Sequence, residues 1–276
     1  MPTNPHSIKK LTITVTLIGV LALFGGIVVY GMSPAQYTNK QINLFLSVNH
    51  ILAHAGDLLW QNITALGDGL VLFPLLSLLI LKNPQAWAAF FGAIPVSTFL
   101  SHVGKALFAM PRPAAVIEHE HIHIIGHALT GATSLPSGHT ITIFTVVSVL
   151  IYFCFDDAKK VAHPVTWSMA LLALGILIAL SRIAVGAHWP FDLVLGALLG
   201  SIGGLSGVML TYQYTAWWRW ITTEKSKYIH ATILCVVSVA MTLEYANLIV
   251  AWAALLMVAI VIYKLLTTRG HHAAHA

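Results

Sequence analysis

Runs of apolar residues long enough to cross a bilayer constrain this fold more than any other feature of the chain. A bilayer core of about 30 Å needs roughly 17–25 apolar residues in a helix. Eight segments reach or approach that length: 11–31, 66–82, 86–104, 138–155, 165–185, 190–213, 229–245 and 247–266. Charged residues make up only 8% of the chain, against about 25% in soluble domains. The sequence therefore predicts an all-α polytopic membrane protein and excludes a soluble globular domain.

Three of the apolar regions need interpretation before they are counted as spans. Two lysines precede 11–31, and this run is longer than the apolar region of a cleaved signal peptide, so we predict an uncleaved transmembrane helix. The last two segments meet at residues 244–247 and form either two spans joined by a tight turn, which we predict, or one kinked re-entrant element. Apolar residues of 41–60 recur at three- and four-residue steps, which predicts a helix lying on the membrane surface.

Three short polar clusters lie at the ends of the apolar segments, and the first follows the third segment. Lys105 and Arg112 are seven residues apart, close to two helical turns, so both project from one face if the helix continues. Pro111 and Pro113 would then end that helix. A lysine point charge and an arginine fork complement each other on a phosphate group. The alternative is a pair of cations that only anchor a helix end.

The second cluster, Pro136-Ser137-Gly138-His139, opens the fourth segment. Ser137 is placed as an N-cap, and the free amides that follow it make a helix start suited to an anion. Gly138 allows a phosphate to approach the backbone closely. His139 lies in the first turn beside that anion, where it can give a proton to a leaving oxygen.

The third cluster joins the fifth and sixth segments. Ser181 and Arg182 end the fifth, and His188 opens the sixth, with Pro190 suited to its first turn. His188 and Asp192 are four residues apart, so they can meet on one helical face. A carboxylate on one ring nitrogen fixes the tautomer and leaves the other nitrogen as a nucleophile.

The distribution of lysine and arginine predicts the orientation of the chain, because cytoplasmic loops carry an excess of both. With eight spans and the N-terminus inside, ten of the fourteen lie on the inner side: Lys9, Lys10, Lys82, Lys159, Lys160, Arg219, Lys225, Lys227, Lys264 and Arg269. The outer side holds Lys40, Lys105, Arg112 and Arg182. Three of these four belong to the polar clusters, so all three clusters are predicted to lie on the outer face.

Taken together, in this order, the clusters resemble the type 2 phosphatidic acid phosphatase (PAP2) superfamily, whose pattern is K-x6-R-P, P-S-G-H and S-R-x5-H-x3-D. Every position matches: Lys105, Arg112, Pro113, Pro136, Ser137, Gly138, His139, Ser181, Arg182, His188 and Asp192. The resemblance implies a six-helix transmembrane core, to which this chain adds two C-terminal transmembrane helices. It divides the chain into 1–64, the first transmembrane helix and interfacial helix, 65–213, the catalytic core, and 214–276, the C-terminal helical hairpin and cytoplasmic tail.

The resemblance also implies a metal-independent lipid phosphatase or diphosphatase that acts through a phosphohistidine. In this mechanism His188 attacks phosphorus, Asp192 orients it, and His139 protonates the leaving group. The phosphoryl oxygens are held by Lys105, Arg112, Ser137, Gly138 and Arg182. No metal or other cofactor is expected, because three fixed cations neutralise the charge that a metal ion handles elsewhere.

The expected partner is a lipid phosphate or diphosphate in the bilayer. Nucleic acid is not expected, because the cations behind the net charge of +5 are dispersed. Undecaprenyl diphosphate is favoured, with phosphatidylglycerol phosphate and phosphatidic acid close behind, in a bacterial inner membrane with the site on the periplasmic or extracytoplasmic face. The same site suits a lipid A phosphatase or a lipid phosphotransferase. A non-catalytic transporter or scaffold is a third alternative, but the charges cluster at helix ends and not along a midplane path.

Three features lie outside the pattern. Residues 118–127 carry histidines at 119, 121 and 123, which would share one side of an extended segment, either as a metal site or as a polar hairpin above the active site. Residues 67–69, Gly-Asp-Gly, form either a turn with a helix cap or part of the site. Glycines at 196, 200 and 204 recur every four residues and predict close packing of the sixth span against a neighbour.

Overall fold

The computed structural model of the protein describes residues 5–156 and 161–267, and the regular elements in these ranges are all helices. In chain order they are α1 (Pro5–Tyr30), α2 (Pro34–Asn39), α3 (Ile42–Ala53), α4 (Asp57–Ala65), α5 (Gly69–Leu76), α6 (Leu79–Lys82), α7 (Pro84–Phe108), α8 (Gly138–Asp156), α9 (Pro164–Ala184), α10 (Pro190–Gln213), α11 (Thr215–Trp218), α12 (Ser226–Tyr245) and α13 (Ile249–Thr267), with short 3₁₀ turns at Pro113–Ala115, His119–His121 and Arg219–Thr222. Lys159, Lys160 and Arg269, which the orientation argument counts, lie outside the described residues.

Seven helices of the described chain are long and apolar enough to cross a membrane, and a bent pair of shorter helices makes a possible eighth span. The seven are α1, α7, α8, α9, α10, α12 and α13. The all-α polytopic prediction is thereby confirmed. The C-terminal region forms two separate helices of span length joined at residues 246–248, so the two-span interpretation is correct and the re-entrant one is wrong.

The second predicted segment, 66–82, departs from a single straight helix. Its helix begins only at Gly69, because the side chain of Asp68 accepts a hydrogen bond from the backbone N–H of Leu70 and caps α5. Pro74 lies inside α5 and supplies no helix donor, and the chain breaks again before α6. The α5–α6 region turns by 65° from the preceding α4, so this region enters the bundle as a broken helix.

The centre of the bundle is made by α7, α8 and α10, which pack along their lengths. Small residues allow this close approach. A Cβ atom built on Gly196 would lie 3.0 Å from the carbonyl oxygen of Ser137, and one built on Gly200 or Gly204 would overlap the backbone of α8. The predicted packing role of these three glycines is confirmed, and it holds the start of α10 firmly against the start of α8.

The remaining helices surround this centre. The outer side of α1 exposes large apolar side chains such as Leu17, Leu23 and Phe24, as expected for contact with lipid tails. The hairpin of α12 and α13 packs against α5, where Met241 and Ala251 join Val71 in one buried cluster. The single helix predicted over 41–60 is divided: α3 ends at Ala53, and α4 begins at Asp57 after Gly56, which has a φ of 90°.

Candidate active site

A buried histidine and carboxylate form the centre of the site. His188 precedes α10 and Asp192 lies in its first turn, so a four-residue separation brings His188 Nδ1 to 3.1 Å from Asp192 Oδ2. His188 is 2% exposed and Asp192 is completely buried. The predicted pairing of these two residues is therefore present in the structure.

Three further donors hold the Asp192 carboxylate in place. The Tyr37 hydroxyl donates to Oδ1 at 2.6 Å, the Ser134 hydroxyl donates to Oδ2 at 2.6 Å, and the backbone N–H of Trp189 donates to Oδ2 at 2.8 Å. Burial, followed by the nearby Asp192, raises the pKa of Tyr37, so the phenol remains a donor. Neither residue was predicted from the sequence. Tyr37 lies in α2, far from Asp192 along the chain, and the only signal for Ser134 is its position three residues before Ser137.

The environment of His188 favours its neutral form. Burial lowers the pKa of His188 to about 4, and the hydrogen bond to Asp192 opposes this shift only in part. Because Nδ1 faces a carboxylate, Nδ1 carries the proton and Nε2 presents its lone pair. At neutral pH the side chain is an oriented imidazole with a nucleophilic nitrogen facing away from Asp192.

Arg112 faces that nitrogen, but it is not on the helix that carries Lys105. A helix continuing from Lys105 as far as Arg112 was one expectation from the spacing. Instead, α7 ends at Phe108, and Ala109 adopts the left-handed conformation. Arg112 lies in extended backbone, with Nη1 3.4 Å from His188 Nε2 and 3.2 Å from the carbonyl oxygen of Ala187. The indole N–H of Trp189 donates to the carbonyl of Pro111 at 2.8 Å and ties this segment to the start of α10.

The start of α8 supplies a concave polar surface next to Lys105. Ser137 caps α8 as predicted, since its hydroxyl oxygen accepts a hydrogen bond from the N–H of Thr140. A Cβ atom built on Gly138 would lie 3.5 Å from Lys105 Nζ, which places the ammonium group beside the helix start. The N–H of Ser137 donates to the Asp192 carbonyl at 3.2 Å and joins the second cluster to the third.

Arg182 is the third cation and is almost completely buried at the end of α9. Its Nη1 donates to the hydroxyl of Thr64, while its Nε finds no hydrogen-bond partner in the described part of the chain. The carbonyl of Arg182 accepts from the N–H groups of Ala187 and His188, which folds the connecting turn back on α9. Gly186 makes this turn possible with a φ of 75°, and a Cβ atom there would lie 2.9 Å from a neighbouring carbonyl oxygen.

His139 lies in the first turn of α8, and its side chain is about a quarter exposed. Four groups act on it electrostatically: Arg182, His188, Lys105 and Arg112. Its Nε2 is 3.8 Å from Asp68 Oδ2. The Gly67–Gly69 turn is thus both a helix cap and part of the site, which joins the two alternatives that the sequence left open.

The histidine-rich loop, residues 118–127, is hydrogen-bonded to α3 and α4. His119–His121 is a 3₁₀ turn, so the expectation that three histidines share one side of an extended segment is wrong. Asn49 of α3 exchanges hydrogen bonds with the backbone of His123, and His123 Nε2 is 2.8 Å from Asp57 Oδ1. No group of three potential metal ligands occurs within 5–156 and 161–267. These contacts favour a polar cover beside the site over a metal centre.

Comparison with known proteins adds independent information. The model of the PAP2 superfamily matches residues 86–220. The chain is 33% identical over 135 residues to the "Putative undecaprenyl-diphosphatase YbjG" of Escherichia coli strain K12, and this match covers 46% of this chain and 62% of that protein. It is 25% identical over 227 residues to the phosphatidylglycerophosphatase B of Haemophilus influenzae, covering 69% of this chain and 90% of that protein.

A solved structure is also similar. The crystal structure of Aquifex aeolicus LpxE superimposes with a TM-score of 0.51 at 30% sequence identity, over 60% of this chain and 93% of that one. The match to the Escherichia coli protein spans less than two thirds of that relative, whereas the matches to the other two proteins span nearly all of each. Residues 86–220, which the superfamily model matches, contain all three polar clusters identified in the sequence.

Proposed function

Because the chain belongs to the PAP2 superfamily, a family of phosphatases, we propose that it is an integral membrane phosphatase or diphosphatase that removes a phosphoryl group from a lipid head group. The observation that carries this proposal is the buried imidazole of His188, which contacts Asp192 with one nitrogen and Arg112 with the other. Such a nitrogen is an activated nucleophile beside a site for an anion.

The proposed reaction has two steps that balance. In the first, His188 Nε2 forms a bond to phosphorus while the bond from phosphorus to the leaving oxygen breaks and His139 gives that oxygen its proton. In the second, water attacks phosphorus, the nitrogen–phosphorus bond breaks, and His139 takes the water proton. Asp192 stabilises the positive charge that His188 acquires while phosphorylated.

Fixed cations supply the charge compensation in this proposal. Arg112 and Arg182 both act electrostatically on Lys105, so the three cations lie near enough to one another to repel. Unpaired like charges in one place favour an anion between them, and the free Nε of Arg182 is one donor that a phosphoryl oxygen would satisfy. The amides at the start of α8 and the hydroxyl of Ser137 complete the set of donors. No metal ion or other cofactor takes part.

A lipid substrate is supported by two apolar cavities that lie between the helices. One, of about 340 Å³, runs between α5, α7 and α8 and is lined by Gly69, next to Asp68, and by Thr142, one turn below His139. A second, of about 530 Å³, lies between α1, α7 and α10 and reaches Gly104, next to Lys105. An alkyl or polyprenyl chain fits such apolar surroundings, whereas a soluble phosphate ester gains nothing from them.

Among lipids we favour undecaprenyl diphosphate, followed by phosphatidylglycerol phosphate and phosphatidic acid. The names of the two bacterial relatives, an undecaprenyl-diphosphatase and a phosphatidylglycerophosphatase, support the first two choices. We further propose a bacterial inner membrane with the site on the periplasmic or extracytoplasmic face, because Lys105, Arg112 and Arg182 are then the functional exceptions to an otherwise cytoplasmic excess of cations.

The test measures phosphate release by detergent-purified protein from undecaprenyl diphosphate, phosphatidylglycerol phosphate and lipid A, with and without EDTA. We expect release that persists in EDTA, an acid-labile phosphoryl adduct on the wild type, and neither in His188→Ala. Fastest release from lipid A would move the assignment to a lipid A phosphatase. Transfer of labelled phosphate to a second lipid, without free phosphate, would move it to a phosphotransferase, and normal turnover by His188→Ala would refute the mechanism.

A further inference from the structure

A second histidine–carboxylate pair, His139 and Asp68, accompanies the pair of His188 and Asp192. His139 Nε2 is 3.8 Å from Asp68 Oδ2, and both side chains are about a quarter exposed. The backbone at Gly67 packs directly against His139, since a Cβ atom built on Gly67 would lie 3.0 Å from His139 Cβ and 3.1 Å from Ile178. The turn of residues 67–69 therefore packs against the His139 side chain, and this contact places Asp68 beside His139.

Asp68 is held by two donors that fix the direction of its carboxylate. The N–H of Leu70 donates to Oδ1 at 2.8 Å, and the hydroxyl of Tyr245 donates to Oδ2 at 3.0 Å. The Leu70 contact is an ordinary helix cap. The Tyr245 contact is not needed for a cap, and it holds the oxygen that faces His139.

Tyr245 is the last residue of α12 and lies outside the region matched by the superfamily model, 86–220. The hairpin that carries Tyr245 is attached to this part of the site at a second point, because Asn62 of α4 accepts a hydrogen bond from the N–H of Val250 at the start of α13. Met241 and Ala251 pack against Val71 in the same buried cluster. The C-terminal hairpin thus supports the turn that presents Asp68 to the site.

We propose that Asp68 is a positioning residue for His139, and that Tyr245 of the C-terminal hairpin holds Asp68 in that role. This inference rests on the proposed phosphatase function and adds a carboxylate beside the acid of its first step. Lys105, Arg112 and Arg182 place positive charge near His139. A carboxylate beside the ring favours the imidazolium, which is the form that gives a proton to the leaving oxygen.

A residue that positions His139 and a residue that only caps a helix have different effects on the reaction rates. When the first step breaks the phosphorus–oxygen bond, the proton moves from His139 to the departing oxygen, so the effect of Asp68 grows with the basicity of that oxygen. A departing alkoxide needs the proton fully, whereas a departing phosphate is a weak base and needs it little. A residue that only stabilises α5 would affect both reactions equally.

The experiment compares two substrates with the same tails, dioleoyl phosphatidic acid and dioleoylglycerol diphosphate, in detergent micelles. For Asp68→Asn, we expect kcat on phosphatidic acid to fall about 100-fold and kcat on the diphosphate to fall less than about tenfold, with KM little changed. Tyr245→Phe shifts both in the same direction by a smaller factor. Asp68→Glu, which keeps the carboxylate, recovers part of the loss on phosphatidic acid.

Asn62→Ala is the matched control, because it removes the other hydrogen bond to the hairpin and leaves Asp68 and Tyr245 intact. It lowers thermal stability without altering the ratio of the two rates. Equal losses on both substrates in Asp68→Asn, or a wild-type ratio in both Asp68→Asn and Tyr245→Phe, would overturn the inference. The pH profile on phosphatidic acid gives a second readout, since loss of the carboxylate moves the basic limb, where the acid loses its proton, to lower pH.

The charged and titratable groups that face His139 during this titration are Lys105, Arg112, Arg182, His188, Asp68 and Tyr245. All but the substituted residue are the same in each variant, so the displacement between profiles reports the substitution. Failure of the proposed function has a different signature, because it removes the phosphoryl adduct from the wild type itself. A wild-type adduct together with an unaltered Asp68→Asn rejects the positioning role alone.

Discussion

The Tyr37→Phe substitution isolates one support of the buried carboxylate. The Tyr37 hydroxyl donates to Asp192 Oδ1 at 2.6 Å, and no other donor in the described residues reaches that oxygen. Phenylalanine keeps the ring and its edge contact with Phe191 and removes only the donor. The variant therefore leaves one oxygen of a completely buried carboxylate without a partner.

The expected loss follows from the strength of a hydrogen bond to a charged group, about 1.5–3 kcal/mol. For a chain of this size each kcal/mol lowers the melting temperature by about 2–4 °C, so Tyr37→Phe melts roughly 3–12 °C below the wild type. The effect of Tyr37→Phe on the catalytic rate is smaller than its effect on stability, because Tyr37 contacts Asp192 and not the phosphoryl group. We expect a loss of about tenfold in kcat from a less firmly oriented His188, with KM unchanged.

The assay is thermal unfolding of detergent-purified protein followed by intrinsic fluorescence, with phosphate release measured on the same samples. Tyr30→Phe is the matched control, because Tyr30 is 70% exposed at the end of α1, and such a substitution changes stability by no more than about 0.5 kcal/mol. Because the pKa of Tyr37 is raised, the phenol stays protonated in both states below about pH 10, and the difference persists from pH 6 to 9. Equal melting of the two variants would refute the reasoning.

Three further predictions test other parts of the structure. Asp192→Asn replaces an acceptor of four donors by a group that itself donates, so kcat falls about 10³–10⁴-fold in a phosphate-release assay, and a loss below tenfold would contradict the role of Asp192. Because the folded-state pKa of His188 is lowered to about 4, kcat/KM declines as pH falls through that value. The free energy of unfolding also decreases between about pH 6.5 and 4, because the unfolded chain binds the proton first. An acid limb near pH 6.5 in the pH–rate profile would contradict the neutral-histidine geometry. Gly200→Ala places a Cβ atom into the backbone of α8 and destabilises the bundle by about 1–3 kcal/mol, whereas Gly19→Ala meets nothing within 4 Å and leaves the melting temperature unchanged.

The spans and the clusters could be predicted from sequence because both are local patterns. A bilayer requires continuous apolar runs, and the spacing from His188 to Asp192 follows from helix geometry alone. Where a prediction depended on the chain continuing in one conformation it was wrong, as at Ala109, whose left-handed conformation ends α7 three residues before Arg112. The same limit applies to the 3₁₀ turn at His119–His121, where alternation in sequence did not produce an extended segment.

The supports of the site could not be predicted, because each is a single polar residue whose partner is distant in sequence. Tyr37 meets Asp192 across 155 positions, Thr64 meets Arg182 across 118, and Tyr245 meets Asp68 across 177. No periodicity or spacing marks such residues. Among these supports only Asp68 carried a signal, a Gly-Asp-Gly turn on the predicted side of the membrane, and that signal favoured a helix cap while leaving a site residue open.

These distant supports bear on how a matched core becomes a working site. The residues that would contact phosphate lie between Lys105 and Asp192, inside the region matched by the superfamily model. The hydroxyl donors of Tyr37 and Tyr245 lie before and after that region, and each satisfies one carboxylate oxygen. A buried carboxylate without donors is strongly unfavourable in apolar surroundings. The flanking segments therefore supply donors to the carboxylates that lie beside His188 and His139, and a chain restricted to 86–220 would keep every motif while losing both of these hydroxyl donors.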